Sequence, residues 1–251
     1  MAEAGIAVVS LIIGLMIGAT GIGGFLIIPA YIALLGLPVR VAVGTALLMG
    51  AVSGALGIYL FSRRGTLDWP IALPLVTSAA LMAAFGGWVS QYLPVSLITL
   101  LLGVVVAAGS AAAFARATGR FGQRQQGKVL VGRMTVPAIG LFSGLVAGIT
   151  GAGGPVASIP LMVAVGFTPL VANGVGTVLQ LTAGAFGAAV YGSQGLISAY
   201  GLAWSVPFQL CGLWLGIVIA HRLDQSLATR IVAMIGILAG VGLGLAAIFR
   251  G

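Results

Sequence analysis

Acidic side chains are nearly missing from this chain: three Asp or Glu stand against eleven Lys or Arg in 251 residues. With one His and one Cys as well, it lacks paired catalytic carboxylates and any credible metal cluster, and its serines have no convincing general-base partner. Soluble-enzyme chemistry is excluded on these grounds, and no cofactor or metal is expected. The single Cys211 cannot form an internal disulfide and lies in an apolar run, where a packed thiol is expected. Charged residues of both signs reach only 6%, against about a quarter in soluble domains. So few cannot cover a wetted surface, and much of the exterior must face lipid.

What is there is apolar residue and glycine. Hydrophobic residues make up 60% of the chain and 41 residues are Gly, with a mean hydropathy of +1.22. Glycine weakens helices in water but lets membrane helices approach closely. The expected class is an all-α polytopic membrane protein with about eight segments, near 4–35, 39–62, 70–89, 94–114, 134–165, 170–191, 198–220 and 228–249. Segments 4–35 and 134–165 are too long for one straight crossing, so each is expected to be a broken helix, a re-entrant element or two half-helices. The N-terminus has no basic n-region and is expected to be retained. The net charge of +8 does not point to nucleic acid, because the basic residues are few and sit in short gaps between apolar runs. A positive-inside bias accounts for them. The richest gap holds Arg116, Arg120, Arg124, Lys128 and Arg133 and is expected to be cytoplasmic, beside anionic headgroups. With eight crossings both termini would share that side. Trp69, Trp88, Tyr92, Tyr191 and Tyr200 read as interfacial anchors.

An ordered set of residues recurs 130 positions later. Gly14, Gly18, Thr20, Gly21, Gly23 and Gly24 return as Gly144, Gly148, Thr150, Gly151, Gly153 and Gly154. Gly36, Gly54, Gly57, Gly65 and Gly86 return as Gly166, Gly184, Gly187, Gly195 and Gly216. The organisation expected is a first transmembrane repeat over 1–115, a basic linker over 116–130 and a second repeat over 131–251. Parallel and inverted arrangements of the repeats both stay open.

The Gly-rich centres can serve as tight crossings or as interruptions whose helix ends and backbone N–H groups hold an anion. A nucleotide loop is excluded by spacing and by the apolar surroundings. Thr45 after Gly44 has an analogue in Thr177 after Gly176. Asn173, Thr177 and Gln180 follow i, i+4 and i+7 spacing and share a helix face, and Gln209 is a further amide in an apolar run. Uncharged donors of this kind can hold an oxyanion or join helices to one another. The candidate substrate-binding set is Thr20, Gly21, Gly23, Gly24, Thr45, Thr150, Gly151, Gly153, Gly154, Asn173, Thr177 and Gln180. Glu3, Asp68 and Asp224 lie near segment ends, so a buried carboxylate relay is not supported.

These motifs resemble the TauE/SafE family of membrane transport proteins, often described as sulfite exporters. The resemblance covers nearly the whole chain. It rests on the duplicated Gly-x-Gly-Gly element, a following Pro and then Gly-Thr: Gly21, Gly23, Gly24, Pro29 and Gly44–Thr45, then Gly151, Gly153, Gly154, Pro160 and Gly176–Thr177. Phe25 and Pro155 stand where members often have a further Gly, and Ala46 and Val178 where they often have Ser. The resemblance implies secondary or facilitated transport of sulfite, a sulfonate or another small organic anion, and it favours export. The expected mechanism is alternating access between the two repeats, in a multi-pass cell membrane protein of bacterial or archaeal type. An anion channel and a non-transport scaffold or assembly protein are the alternatives. A coupling proton or sodium ion and a homodimer stay open.

Overall fold

A computed structural model describes residues 2–20, 23–63, 65, 67–118, 134–152, 154–219 and 225–250. Most of the 116–130 linker, Arg64, Gly21, Gly153 and the His221–Asp224 turn lie outside the described residues. The described chain forms ten α-helices: α1 (Ala2–Thr20), α2 (Ile27–Leu35), α3 (Val39–Arg63), α4 (Trp69–Ser90), α5 (Val95–Ala117), α6 (Thr135–Thr150), α7 (Gly154–Ala164), α8 (Pro169–Ser193), α9 (Ala199–Ile219) and α10 (Gln225–Arg250). A 3₁₀ turn, Gly24–Leu26, leads into α2. Six of these helices are long and apolar enough to cross a bilayer, namely α1, α3, α4, α5, α8 and α9. The protein is thus an all-α polytopic membrane protein.

Helix starts follow local chemistry. The Asp68 carboxylate accepts from the Ile71 N–H at 3.3 Å and the Ser198 hydroxyl from the Gly201 N–H at 3.0 Å, each satisfying a free donor at a helix N-terminus. Large apolar side chains such as Leu81, Leu238 and Trp214 are exposed, as a lipid-facing belt requires. Cys211, expected to be packed, is also exposed. Tyr191 departs the other way: it is fully buried, with its hydroxyl donating to the Gly148 carbonyl at 3.3 Å. The other four aromatics expected at interfaces are exposed or half-buried near helix ends.

The two overlong segments fold back on themselves. A Cβ built on Gly5 would lie 3.8 Å from the Leu34 methyls. Gly5 and Thr20 are about 22 Å apart along α1 at 1.5 Å per residue, so α2 must run antiparallel to α1 to bring Leu34 there. α1 runs parallel to α9, since Gly14 meets Gln209 and Leu213 while Gly18 meets Leu213 and Ile217. α4 and α6 are parallel in the same way, with Gly140 on Leu75, Gly144 on Ala79 and Gly148 on Ala83. α3 is antiparallel to α8, with Gly44 on Tyr191 and Gly57 on Thr177. α5 is antiparallel to α10, with Gly103 on Gly244 and Gly236 on Ser110. α7 runs antiparallel to α8, because Gly154 meets Leu179 and Gly176 meets Ile159. At the α1–α9, α4–α6, α3–α8 and α5–α10 crossings glycine lets one helix backbone touch the next, whereas at α7–α8 it admits the Leu179 and Ile159 side chains.

Successive helices therefore alternate in direction. One end of the bundle gathers the start of α1, where Tyr200 donates to Glu3 at 2.7 Å, and the start of α3, where Arg40 donates to the Leu93 carbonyl at 2.8 Å. The end of α10 lies there too. The end of α5 and the start of α6 lie at the opposite end. This corrects the expectation that both termini share a side with the linker. The count of eight crossings took each long segment as one pass, whereas each is a hairpin that returns, one of the arrangements expected for segments of that length. The helices of 2–117 and those of 135–250 consequently enter from opposite ends, and α8, α9 and α10 begin 130 residues after α3, α4 and α5.

Candidate functional site

Each hairpin tip carries a glycine with positive φ, Gly23 in the first and Gly151 in the second. Thr150 ends α6, and its hydroxyl donates to the Val146 carbonyl at 2.7 Å while accepting from the Ala152 N–H at 3.2 Å. Gly151 follows in the left-handed region, φ 68°, and its N–H closes on the Ala147 carbonyl at 2.8 Å. In the first tip Gly23 has φ 132°, a conformation a side chain would resist. Six helical residues separate Gly14, which is level with Gln209, from Thr20. The tip thus passes the middle of α9 by about 9 Å.

A central cavity of ≈ 470 Å³, counting its mouth, lies between these tips. Gly23, Gly24, Gly151, Ala152 and Pro155 line it from the hairpins, Gly50 from α3, Gln180 from α8 and Gln209 from α9. A second cavity of ≈ 390 Å³ shares Ile17, Pro155 and Gln180 with the first. It continues through Ser53, Gly57, Asn173, Gly176 and Thr177 to Phe61, near the end of α3. Among the described residues no ionisable side chain lines either space. The helix starts that follow Gly23 and Gly151 supply partial positive charge at the first cavity instead.

On the other side of the central cavity polar groups tie the helices together. Tyr31 and Ser205 share a hydrogen bond at 2.6 Å. The Thr45 hydroxyl donates to the Val41 carbonyl at 2.6 Å and accepts from the Ser198 N–H at 2.9 Å.

The structure brings Gly23, Gly24, Gly151 and Gln180 to the central cavity, and Asn173, Thr177 and Gln180 to the second. Thr177 also donates to the Gly174 carbonyl at 2.7 Å. Thr45 and Thr150 line neither cavity, and their hydroxyls are engaged by backbone. Gly154 packs against Leu179. Thr20 closes α1 at the first tip; Gly21 and Gly153 lie outside the described residues. Two lining residues with polar side chains, Gln209 and Ser53, were not in the expected set. Gln209 carried a signal, as an amide in an apolar run. Ser53 carried none, since a Ser among glycines reads as packing. Among the described residues no group of three or more potential ligand side chains could hold a metal ion.

Residues 6–243 match the family model described as "Sulfite exporter TauE/SafE". No curated protein and no solved structure matches the chain.

Proposed function

Because the chain belongs to the sulfite exporter TauE/SafE family, we propose that it moves sulfite, a sulfonate or a related small oxyanion by alternating access between its two halves. At the coarser level it is a polytopic membrane protein for secondary transport of a small anion, and it is not an enzyme. The observation that carries the finer reading is the convergence of two hairpins, entering from opposite ends, on one cavity with no ionisable residue among its described lining. Helix N-termini and the Gln180 amide suit a small anion there better than a fixed cation would, because a buried charge is costly when the site is empty.

In this reading 1–115 and 131–251 are inverted repeats, and α1–α2 and α6–α7 are re-entrant hairpins. Two facts support it: the start positions recur at 130 residues, and each main contact in one half has a counterpart in the other. The pair α1 on α9 corresponds to α6 on α4, while α3 on α8 and α5 on α10 correspond to themselves. The second cavity is then a vestibule from the linker face, and the Tyr31–Ser205 and Thr45–Ser198 contacts close the other.

Charge orients the protein. Every Lys and Arg except Arg40 and Arg250 falls, by sequence position, in or beside the linker-side helix ends. Positive-inside bias makes that face cytoplasmic and places both termini outside. The vestibule therefore opens to the cytoplasm, which suits loading for export. Single cysteines in a Cys211→Ser background test the orientation. An impermeant maleimide should label Ala2→Cys on intact cells and Gln125→Cys only after permeabilisation. The opposite pattern would reverse it.

Transport is tested by uptake into sealed proteoliposomes of sulfite, sulfate, thiosulfate, sulfoacetate and a small carboxylate. A carrier gives saturable, trans-stimulated flux of a sulfur anion. Linear flux without counterflow would indicate a channel, and absence of protein-dependent flux for every anion would refute the proposal.

A further inference from the structure

One residue that lines the central cavity has a polar atom without a hydrogen-bond partner among the described residues. Gln209 is 1% exposed and lines that cavity. The Ser53 hydroxyl donates to the Met49 carbonyl at 2.9 Å, so its oxygen retains only acceptor capacity. Gln209 Nε2 donates to that oxygen at 2.9 Å, and this bond decides which way the amide faces. The Gln209 carbonyl oxygen, Oε1, is left buried without a hydrogen bond. An unmet buried acceptor is costly, and it needs a donor that the cavity's other lining residues do not supply.

This requirement narrows the ligand chemistry. A fully deprotonated dianion would bring two negative charges to a space with no cation among its described lining residues, and its oxygens would meet Oε1 acceptor against acceptor. A monoanion that carries an O–H satisfies both ends. Its charged oxygens face Gly24 and Pro155 in the first turns that follow the two tips, and the Gln180 amide, and its proton is donated to Oε1. We propose that Gln209 selects a singly charged oxyanion bearing a hydrogen-bond donor, so that sulfite is carried as hydrogen sulfite with its proton still bound. The inference rests on the transport reading above and deepens it. It also lets a proton cross without an embedded carboxylate: Glu3 and Asp68 sit at helix ends, and Asp224 falls between α9 and α10 in the sequence. The proton crosses on the substrate, and no bond to it breaks within the protein.

The test is sulfite uptake by proteoliposomes of the full chain at fixed total sulfite between about pH 6 and 8, with protein-free vesicles subtracted. At subsaturating sulfite the initial rate should follow the hydrogen sulfite fraction, falling by about tenfold per pH unit once the dianion predominates. A trapped dye should report luminal acidification as the entering monoanion dissociates. A matched pair probes the donor in the unaltered protein: 2-hydroxyethanesulfonate should inhibit sulfite uptake at least about tenfold better than ethanesulfonate, as expected when a buried acceptor is left unpaired. Gln209→Leu should narrow that gap and flatten the pH profile. Flux that rises with pH, or equal inhibition by the two sulfonates, would overturn the inference while leaving anion transport standing. Absence of protein-dependent flux for every anion would overturn the transport reading itself.

Discussion

Gly54 offers the sharpest test of how the cavity wall is built. A Cβ on Gly54 would lie 2.5 Å from Leu181 N, 2.9 Å from the Thr177 carbonyl oxygen and 3.0 Å from Leu181 Cα. The nearest of these is about 0.9 Å short of the 3.4 Å at which ordinary contact begins. All three atoms are backbone, so no side chain can rotate away and α3 and α8 must separate. Overpacking of this kind costs about 1–3 kcal/mol. A Gly→Ala change inside a helix also brings an intrinsic gain of about 1 kcal/mol, so the reference must carry the same gain. Gly242 in α10 is exposed and has nothing within 4 Å. Gly54→Ala should therefore be less stable than Gly242→Ala by about 1–3 kcal/mol, at about 2–4 °C per kcal/mol for a chain of this length. Thermal unfolding of both variants in one detergent, followed by tryptophan fluorescence, reads the difference. Gln180 adjoins Leu181, so flux through folded Gly54→Ala should also fall, by about tenfold or more for a shift near 1 Å. Equal midpoints for the two variants would refute the close α3–α8 crossing and the cavity wall built on it.

Gln180→Leu keeps side-chain size but removes the amide that both cavities share; it should fold normally and lower anion flux by about tenfold or more, the loss of one hydrogen bond to a charged group. Gly151→Ala imposes a side chain at φ 68°, with its Cβ 2.9 Å from Val43 Cγ1. It should cost at least about 1–2 kcal/mol, seen as a lower unfolding midpoint, and reduce flux because the residue lines the central cavity. Tyr31→Phe deletes the 2.6 Å bond to Ser205, whose hydroxyl keeps the Gly201 carbonyl as acceptor at 2.7 Å. Its cost should stay near about 0.5–1.5 kcal/mol in the same unfolding assay, and a loss several times larger would mean that the ring packing also changes.

Composition alone determined the membrane class, because six helices of this hydropathy leave too little charge to wet a surface. The 130-residue interval was legible for a related reason. Where helix backbones touch, a side chain collides, so Gly14 and Gly18 are needed against α9, and Gly144 and Gly148 against α4. Direction was not legible. Length marked both long segments as broken or re-entrant, but hydropathy has the same value for a helix that crosses and for one that turns back, so only contacts such as Gly5 with Leu34 chose between those readings and put the termini opposite the linker ends. The polar residues divide in the same manner. Helical spacing gathered Asn173, Thr177 and Gln180 on one face, and the fold brings all three to a cavity. Spacing cannot tell a hydroxyl free for a ligand from one bound to its own helix, as Thr45 is to Val41. Nor could it separate Gln209 from any other amide in an apolar run. The role proposed for it rests on a buried carbonyl with no donor among the described residues, a property of partners brought from distant parts of the chain, which only the tertiary structure decided.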